Sequence, residues 1–387
     1  MRAYSASDEE AVRARDLLKD WAGEGFLTKA QHQQMEPETA CDLRRTNIFL
    51  RIVLFLFTLL IVGAAVALFF SSGPTIDATG VFLMIFAAVS YAATELAVSQ
   101  ARIYRFGIEE ALAVCSVGLL CLGMQTVARP AGTDFLVPAA GAVVSLWTWH
   151  RFRLAYAFLA AMILIVWLPG HWTSSRSAQH QILAAFYAAG LVAAIAVRAR
   201  YRFTYLDEEY SIAEGLLWLG IYLAINLQLS SPNLFLLWWV GDRATTEFSR
   251  PFYWTTWVLT WCLPPIVLVR GVRLKDRFVI AAGIIVSILT LVTNKPYLGW
   301  QRHTWDPMLL GALLIGVAVF IRRWLARGPG EIRNGFTARR LSGKDKAWMN
   351  AGVSALGLVS PNLITPSPPD GHFGGGESGG GGASSDF

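Results

Sequence analysis

The sequence predicts an all-α fold: a polytopic bundle of about ten transmembrane helices with a small N-terminal helical hairpin and a disordered, glycine-rich tail. Of the 387 residues, 54% are hydrophobic and only 16% are charged, whereas soluble domains carry about 25% charged residues. Long apolar runs recur along the chain, and basic residues are concentrated in alternate gaps between them. Together these observations favour a membrane-embedded chain over a soluble one.

Ten apolar segments each approach the roughly 20 residues that a helix needs to cross the hydrocarbon core of a bilayer. Unpaired backbone polar groups are costly in lipid, so these segments are predicted to be helices. The predicted spans are 48–70, 80–98, 107–128, 133–149, 154–170, 179–197, 211–229, 252–269, 278–294 and 306–325. The stretch "NLFLLWWV" (233–240) is too short to cross, and it is predicted to be interfacial or re-entrant.

The distribution of basic residues predicts the orientation of the spans. With the N-terminus in the cytoplasm, the predicted inner loops carry sixteen arginines and lysines and the outer loops carry six. Cytoplasmic loops of membrane proteins are enriched in these residues, so we expect an even number of spans with both termini inside. The net charge of +6 follows from this topology, because the basic residues do not form a stripe that would bind nucleic acid. The expected partner is the lipid bilayer.

The polar ends and the apolar middle divide the chain into three regions: a cytoplasmic helical hairpin (1–45), a transmembrane helical domain (46–325), and a basic segment with a disordered Gly/Ser/Pro tail (326–387). In the hairpin, Ser7 with Glu10 and Thr28 with Gln31 have the spacing of capping boxes. Two helices this short bury little surface. The hairpin is therefore expected to lean on a partner, on the membrane surface, or on a second copy of the chain in a homo-oligomer. Its polar character predicts no signal peptide.

Charged residues inside predicted spans are rare and are candidates for function. Glu95 lies about one turn before the end of the second span, where Arg102 could reach it by extending its side chain. Glu109 and Glu110 begin the third span, and Glu214 lies near the start of the seventh. Two interpretations remain open. The carboxylates line an inward-facing cation or proton pathway, or they form ion pairs with the loop arginines at favourable helix starts.

A weak internal similarity relates two parts of the chain. The segment "YAATELAVSQARIYRFGIEEALAV" (91–114) resembles "YAAGLVAAIAVRARYRF" (187–203) followed by "SIAEGLLWLG" (211–220). Spans two and three would then correspond to spans six and seven in the same orientation. Parallel repeats of this kind occur in membrane transporters.

Uncharged polar residues and prolines provide further candidate positions within the spans. Gln125, Asn226 and Gln228 lie toward the outer ends, where they can hydrogen-bond between helices or line a cavity. Pro264 and Pro265 remove two backbone donors from the eighth span, which predicts a helix break or a packing kink.

No motif predicts a catalytic residue, a metal site or a cofactor. The four cysteines lack metal-ligand spacing; they are Cys41, Cys115, Cys121 and Cys262. The predicted outer face is rich in tryptophan and carries histidines and carboxylates without a ligand motif: His171, His180, Asp242, Glu247, His303 and Asp306.

The hairpin and the succession of spans resemble a family of bacterial multi-pass membrane proteins of unknown function that carry a short cytoplasmic helical hairpin. The residues that match the hairpin pattern are Leu17, Trp21, Gly25, Phe26, Leu27, Thr28 and Gln31. The tail "FGGGESGGGGASSDF" looks like the Gly-Ser terminus of some bacterial envelope proteins that contain a TPM domain, although no such domain is present here. These resemblances imply the cytoplasmic membrane of a bacterium, and they imply no activity.

The sequence therefore favours a non-catalytic membrane protein, either transporter-like or a scaffold whose hairpin binds a second copy or a partner. The alternative is a membrane enzyme that acts on a lipid-linked or amphiphilic substrate at the outer face. A sensor of membrane state is a third possibility. The sequence names no substrate.

Overall fold

The structure is a computed structural model that describes residues 3–23, 25–71, 73, 76–131, 133–201, 204, 206–229, 248–300, 303–329, 332–334 and 336–337. Within this part of the chain the fold is almost entirely helical. The helices are α1 (Ala6–Gly23), α2 (Lys29–Met35), α3 (Ile48–Phe70), α4 (Ile76–Ser99), α5 (Ile108–Ala131), α6 (Leu136–Phe152), α7 (Ala155–Trp172), α8 (Arg176–Tyr201), α9 (Asp207–Ile225), α10 (Arg250–Leu274), α11 (Arg277–Tyr297) and α12 (Asp306–Ala326). A 3-10 turn (Pro37–Thr39) follows α2, and two-residue strands β1 (Ile332–Arg333) and β2 (Phe336–Thr337) pair after α12.

Eight helices are long and apolar enough to cross a membrane: α3, α4, α5, α7, α8, α10, α11 and α12. The chain therefore has the character of an integral membrane protein. Two predicted spans correspond to helices outside this set. Helix α6 has only 17 residues, and α9 carries four carboxylates along its first half. The count of ten spans therefore remains a prediction.

Antiparallel neighbours make up the bundle, with α4 against α5, α6 against α7, α8 against α9, and α10 against α11. Helix α9 also contacts α7, α10 and α11, and eleven of its 19 residues are buried. Glu209 and Glu214 of α9 are thus buried among neighbouring helices, whereas Glu208 at the start of the helix is exposed. In contrast, α12 buries none of its residues.

Helix α1 docks onto one end of the bundle, which we call the head end. The backbone N–H of Ala3 donates to the carbonyl of Arg151 at 3.1 Å, and the Tyr4 hydroxyl donates to the carbonyl of Ile103 at 3.2 Å. The Tyr4 and Tyr104 rings meet edge to face at 5.0 Å. Burial raises the pKa of both tyrosines. The N-terminal segment therefore packs against the helical bundle of its own chain, an arrangement that was not among those expected from the sequence.

The helix caps of the N-terminal segment agree with the prediction in one of two cases. Thr28 and Gln31 form the expected capping box at the start of α2. Helix α1 begins earlier than expected, because the Ser5 hydroxyl accepts the N–H of Asp8 at 3.1 Å. Ser5, rather than Ser7, thus satisfies a backbone donor at the start of α1.

Helix α10 continues through Pro264 and Pro265, so of the two predicted alternatives the helix break is wrong, and the packing kink stays a prediction. A proline at position 264 leaves the carbonyl of Thr260 without its helical donor. The Thr290 hydroxyl of α11 donates to that carbonyl at 3.0 Å. A neighbouring helix therefore compensates for part of the missing backbone hydrogen bonding, as is common among packed membrane helices.

Several predicted features lie outside the described residues. They include the re-entrant stretch 233–240, most of the C-terminal tail, and two outer-face carboxylates, Asp242 and Glu247.

Candidate functional site

Glu214 lies at the centre of a charge cluster that joins four helices. Its side chain is 0% exposed. One carboxylate oxygen accepts from Arg198 of α8 at 2.8 Å, and the other accepts from Arg270 of α10. Arg198 also binds Asp207 through two hydrogen bonds of 2.8 and 3.0 Å, and it pairs with Asp276 before α11 at 2.5 Å. We call these residues the Glu214 cluster.

Asp276 connects this cluster to the start of α11. Its side chain accepts the backbone N–H groups of Phe278 at 2.9 Å and Val279 at 3.3 Å, which caps the helix. The Ser211 hydroxyl of α9 donates to Asp276 at 2.6 Å. Burial disfavours the charged form, but the hydrogen bond from Ser211 and the charge of Arg198 outweigh it and lower the pKa of Asp276. The group is therefore held as an anion.

The Glu214 cluster contains three carboxylates and two guanidinium groups. Removing charges from water is costly, and the cost is recovered only when each charge is paired and hydrogen-bonded. Both oxygens of Glu214 are already bound by arginine. The Glu214 cluster thus has the geometry of an ion-pair network that links neighbouring helices. Glu214 has no free carboxylate oxygen that could bind a cation moving along a pathway.

A second ion pair joins α3 and α5. The Arg51 guanidinium donates to both oxygens of Glu110, with one bond of 2.8 Å. The neighbouring Glu109 is 1% exposed, and one of its oxygens accepts the backbone N–H of Phe106 at 2.7 Å. The other Glu109 oxygen has no hydrogen-bond partner among the described residues. Glu109 is thus the candidate carboxylate that retains a free oxygen.

The pairing expected between Glu95 and Arg102 is wrong. Arg151 at the end of α6 donates to Glu95 through bonds of 2.7 and 2.8 Å, and the Tyr91 hydroxyl donates to the same carboxylate at 3.2 Å. Arg102 instead pairs with Asp42 at 2.5 Å. The cause is geometric: α6 returns to the head end beside α4 and brings Arg151 closer than the loop residue.

Buried charges also connect α1 to the start of α9. The Arg13 guanidinium lies 3.4 Å from one oxygen of Glu209, and the buried Arg153 lies 3.7 Å from the other. Arg153 ends α6 in a left-handed conformation, with its guanidinium 5.4 Å from the centre of the Tyr210 ring. Glu9 of α1 is buried at the same end. The pair between Arg13 and Glu209 therefore links α1 to α9, whereas the Arg153 guanidinium has no hydrogen-bond partner among the described residues.

The opposite, far end contains a network of uncharged polar groups. The Asn226 amide donates to Tyr222 at 2.8 Å and to Thr293 of α11 at 2.9 Å. Gln228 donates to Tyr253 of α10 at 3.0 Å. These bonds join the end of α9 to two neighbouring helices. Gln125 lies on α5, half-buried.

Comparisons of the chain with family models, with curated proteins and with solved structures give no match.

The outer-face residues named from the sequence have separate surroundings. Asp306 pairs with Lys295 at 2.5 Å and accepts the backbone N–H of His303 at 3.0 Å, which stabilises the start of α12. His180 lies 2.7 Å from the carbonyl oxygen of Ala224. In the part of the chain that is described, no group of three histidine, cysteine or carboxylate residues has the arrangement of a metal site.

Five residues of these ion-pair networks were not predicted as partners: Arg51, Arg151, Arg198 and Arg270, which bind the candidate carboxylates, and Asp276, which binds Arg198. Arg51 lies inside the first predicted span, so the rule that singled out Glu95 could have found it. Arg198 and Arg270 were counted as loop cations, but both lie within helices and bind Glu214. Asp276 carried no sequence signal beyond its position before an apolar run.

Proposed function

We propose that this protein is a non-catalytic scaffold of a bacterial cytoplasmic membrane, with ten spans and both termini in the cytoplasm, and that α1 and α2 join it to a second copy. The observation that carries the proposal is the two-sided character of this N-terminal segment. One side docks on the bundle, while apolar side chains remain exposed on the other.

The docked side of α1 buries Val12 and Leu18. The exposed residues are between 41% and 73% accessible, and we call them the head patch: Leu17, Trp21, Phe26 and Met35. Large aromatic and aliphatic side chains clustered on a surface favour protein association. Asp16 of α1 pairs with Arg45, which precedes α3, at 2.9 Å. This pair supports a fixed orientation of α1, and therefore of the head patch, relative to the bundle.

Charge favours a second copy over the lipid surface as the occupant of the head patch. Residues 1–45 contain nine acidic and seven basic residues. Helices that bind the cytoplasmic leaflet are rich in lysine and arginine on their polar face, because that leaflet is anionic. An acidic segment lacks this attraction, whereas two copies can bury their patches against each other.

A further observation supports a scaffold. The carboxylates Glu95, Glu110 and Glu214 are each bound by arginine, as expected for clamps between helices.

The positions of the ends of α6 and α9 support ten crossings. Helix α6 ends at the head end, where α5 begins. Helix α9 begins at the head end, where its Glu209 contacts Arg13 of α1, and Leu227, just after α9, contacts Tyr297 at the far end.

The oligomeric state tests the role of the head patch. The triple variant Leu17→Ser, Trp21→Ser, Phe26→Ser should convert an oligomer into a monomer in mild detergent, as measured by light scattering coupled to size exclusion. The matched control replaces exposed polar residues of α2, with Lys29→Ser, Gln33→Ser and Gln34→Ser, and should leave the mass unchanged. A monomeric wild type, or a patch variant that keeps the wild-type mass, would contradict the proposal.

The free oxygen of Glu109 favours one other function, proton or cation transport. A buried carboxylate with an unpaired oxygen can take up a proton or a cation. Flux into proteoliposomes that Glu109→Gln abolishes and Glu95→Gln spares would favour transport over a scaffold. On the scaffold account, wild type and both variants conduct no more than empty vesicles.

A further inference from the structure

The contact between α1 and the start of α9 buries two carboxylates that face each other. Glu9 of α1 is buried, and one of its oxygens has no hydrogen-bond partner among the described residues. Glu209 of α9, which precedes the predicted span 211–229, is buried as well. The two charges lie close enough to repel each other. Helix α1 therefore docks over two acidic groups.

The positive charges around Glu209 compensate it weakly. The guanidinium nitrogens of Arg13 and Arg153 lie 3.4 and 3.7 Å from its two oxygens. In contrast, Glu214 of the same helix accepts from Arg198 at 2.8 Å. A buried anion is costly unless it is closely paired and hydrogen-bonded. The geometry at Glu209 therefore favours the neutral form of its carboxyl group.

Charged and titratable groups from four parts of the chain surround Glu209. They are Glu9 and Arg13 of α1, Tyr104 and Arg105 before α5, Arg153 at the end of α6, and Glu208 and Tyr210 of α9 itself. Burial has the largest effect and raises the pKa of Glu209, the three arginines lower it, and Glu9 raises it again. The result is a pKa of about 7.

Docking of α1 is thereby linked to proton binding. When α1 leaves the bundle, Glu209 returns to water and loses the repulsion from Glu9, so its pKa falls toward about 4.3, the value of an exposed glutamate. The docked state thus binds the proton more tightly. The stabilisation is fully present below about pH 4.3 and is lost as the pH rises through about 7. Between pH 5 and pH 8 the docking equilibrium should change on the order of a hundredfold.

We infer that the docking of α1 on the bundle is proton-sensitive: the contact with α9 holds α1 more tightly when Glu209 is protonated than when it is ionised. Helix α1 carries Leu17 and Trp21 of the head patch, so protons also control how firmly the patch is held. This consequence for self-association rests on the proposed function, whereas the proton-sensitive contact does not.

Hydrogen exchange of the α1 amides tests the inference. The full chain in lipid nanodiscs is exchanged at pH values from 5 to 8, and peptides of α1 are analysed by mass spectrometry. Dividing the intrinsic exchange rate at each pH by the observed rate gives a protection factor, which reports how rarely α1 opens. Protection of α1 should fall on the order of a hundredfold from pH 5 to pH 8. Protection that stays constant or rises over this range would overturn the inference.

Two variants assign the effect to a single carboxyl group. Glu209→Gln, a neutral mimic of the protonated side chain, should keep the protection of α1 at its pH 5 level throughout. The matched control is Glu208→Gln, which changes the exposed neighbour and should retain the wild-type fall. His32 and His150 remain in both variants, so a fall that survives Glu209→Gln would assign the effect elsewhere and refute the role of Glu209.

The triple variant of the head patch separates this inference from the proposed function. Its three substitutions are on exposed side chains, so it should show the wild-type fall in α1 protection whether or not it changes the mass of the assembly. Loss of the fall in this variant would show that association, rather than the contact with α9, responds to pH.

Discussion

Replacing Glu214 with alanine should lower the free energy of unfolding by about 3–5 kcal/mol, the cost of removing one partner from a buried ion pair. The variant leaves Arg270 without its bound carboxylate and removes one of the carboxylates that hold Arg198. Tryptophan fluorescence during denaturation in mixed micelles measures the effect, since the chain contains 15 tryptophans.

The matched control is Glu208→Ala. Glu208 is also a carboxylate of α9, but it is exposed, and its pairs with Arg277 and, at 3.5 Å, with Arg13 are of the kind that contributes about 0–1 kcal/mol. Glu214→Gln, which retains the shape and a hydrogen-bond acceptor, should fall between the two. Equal losses for Glu214→Ala and Glu208→Ala would show that burial of the Glu214 cluster has no energetic consequence.

Replacing Gly107 with alanine should destabilise the protein by about 3 kcal/mol or more, the combined order of backbone strain and overpacking. Gly107 has φ +107°, which side-chain-bearing residues rarely adopt, and an added Cβ would lie 2.2 Å from the carbonyl oxygen of Arg51. The clash would push α3 away from the start of α5. It would thereby disturb the pair between Arg51 and Glu110 as well.

Gly25→Ala separates the two contributions to this effect. Gly25 also has positive φ, +78°, but a Cβ there meets nothing within 4 Å. This control should cost about 1 kcal/mol, the strain of a left-handed residue alone. Denaturant titrations of both variants provide the comparison, and a Gly107→Ala variant as stable as Gly25→Ala would refute the close approach.

The composition and the lengths of the apolar runs were sufficient to predict the helices. All ten predicted spans correspond to helices α3–α12, with bounds that differ by a few residues. Lipid leaves little choice of secondary structure, so an apolar run of this length specifies a helix. The same signal could not establish that α9 would be enclosed by its neighbours, because hydropathy does not distinguish protein contacts from lipid contacts.

The candidate site was predictable only in part. The rule for charges in spans identified Glu110 and Glu214. Their partners depend on which helices become neighbours in the bundle, and no local sequence pattern specifies the arrangement of the helices. Arg151 displaced Arg102 as the partner of Glu95 for this reason.

The central claim, that ten helices cross the membrane, is tested most directly at the two helices with the weakest span signal. Single cysteines are introduced into a chain without its four native cysteines and treated with an impermeant maleimide in intact cells. The positions are Thr133→Cys and Ala155→Cys on either side of α6, and Thr204→Cys and Ser249→Cys on either side of α9. We predict labelling of positions 133 and 249 from outside, and of 155 and 204 only after permeabilisation. Labelling of 133 and 155, or of 204 and 249, from the same side would contradict the ten-span bundle.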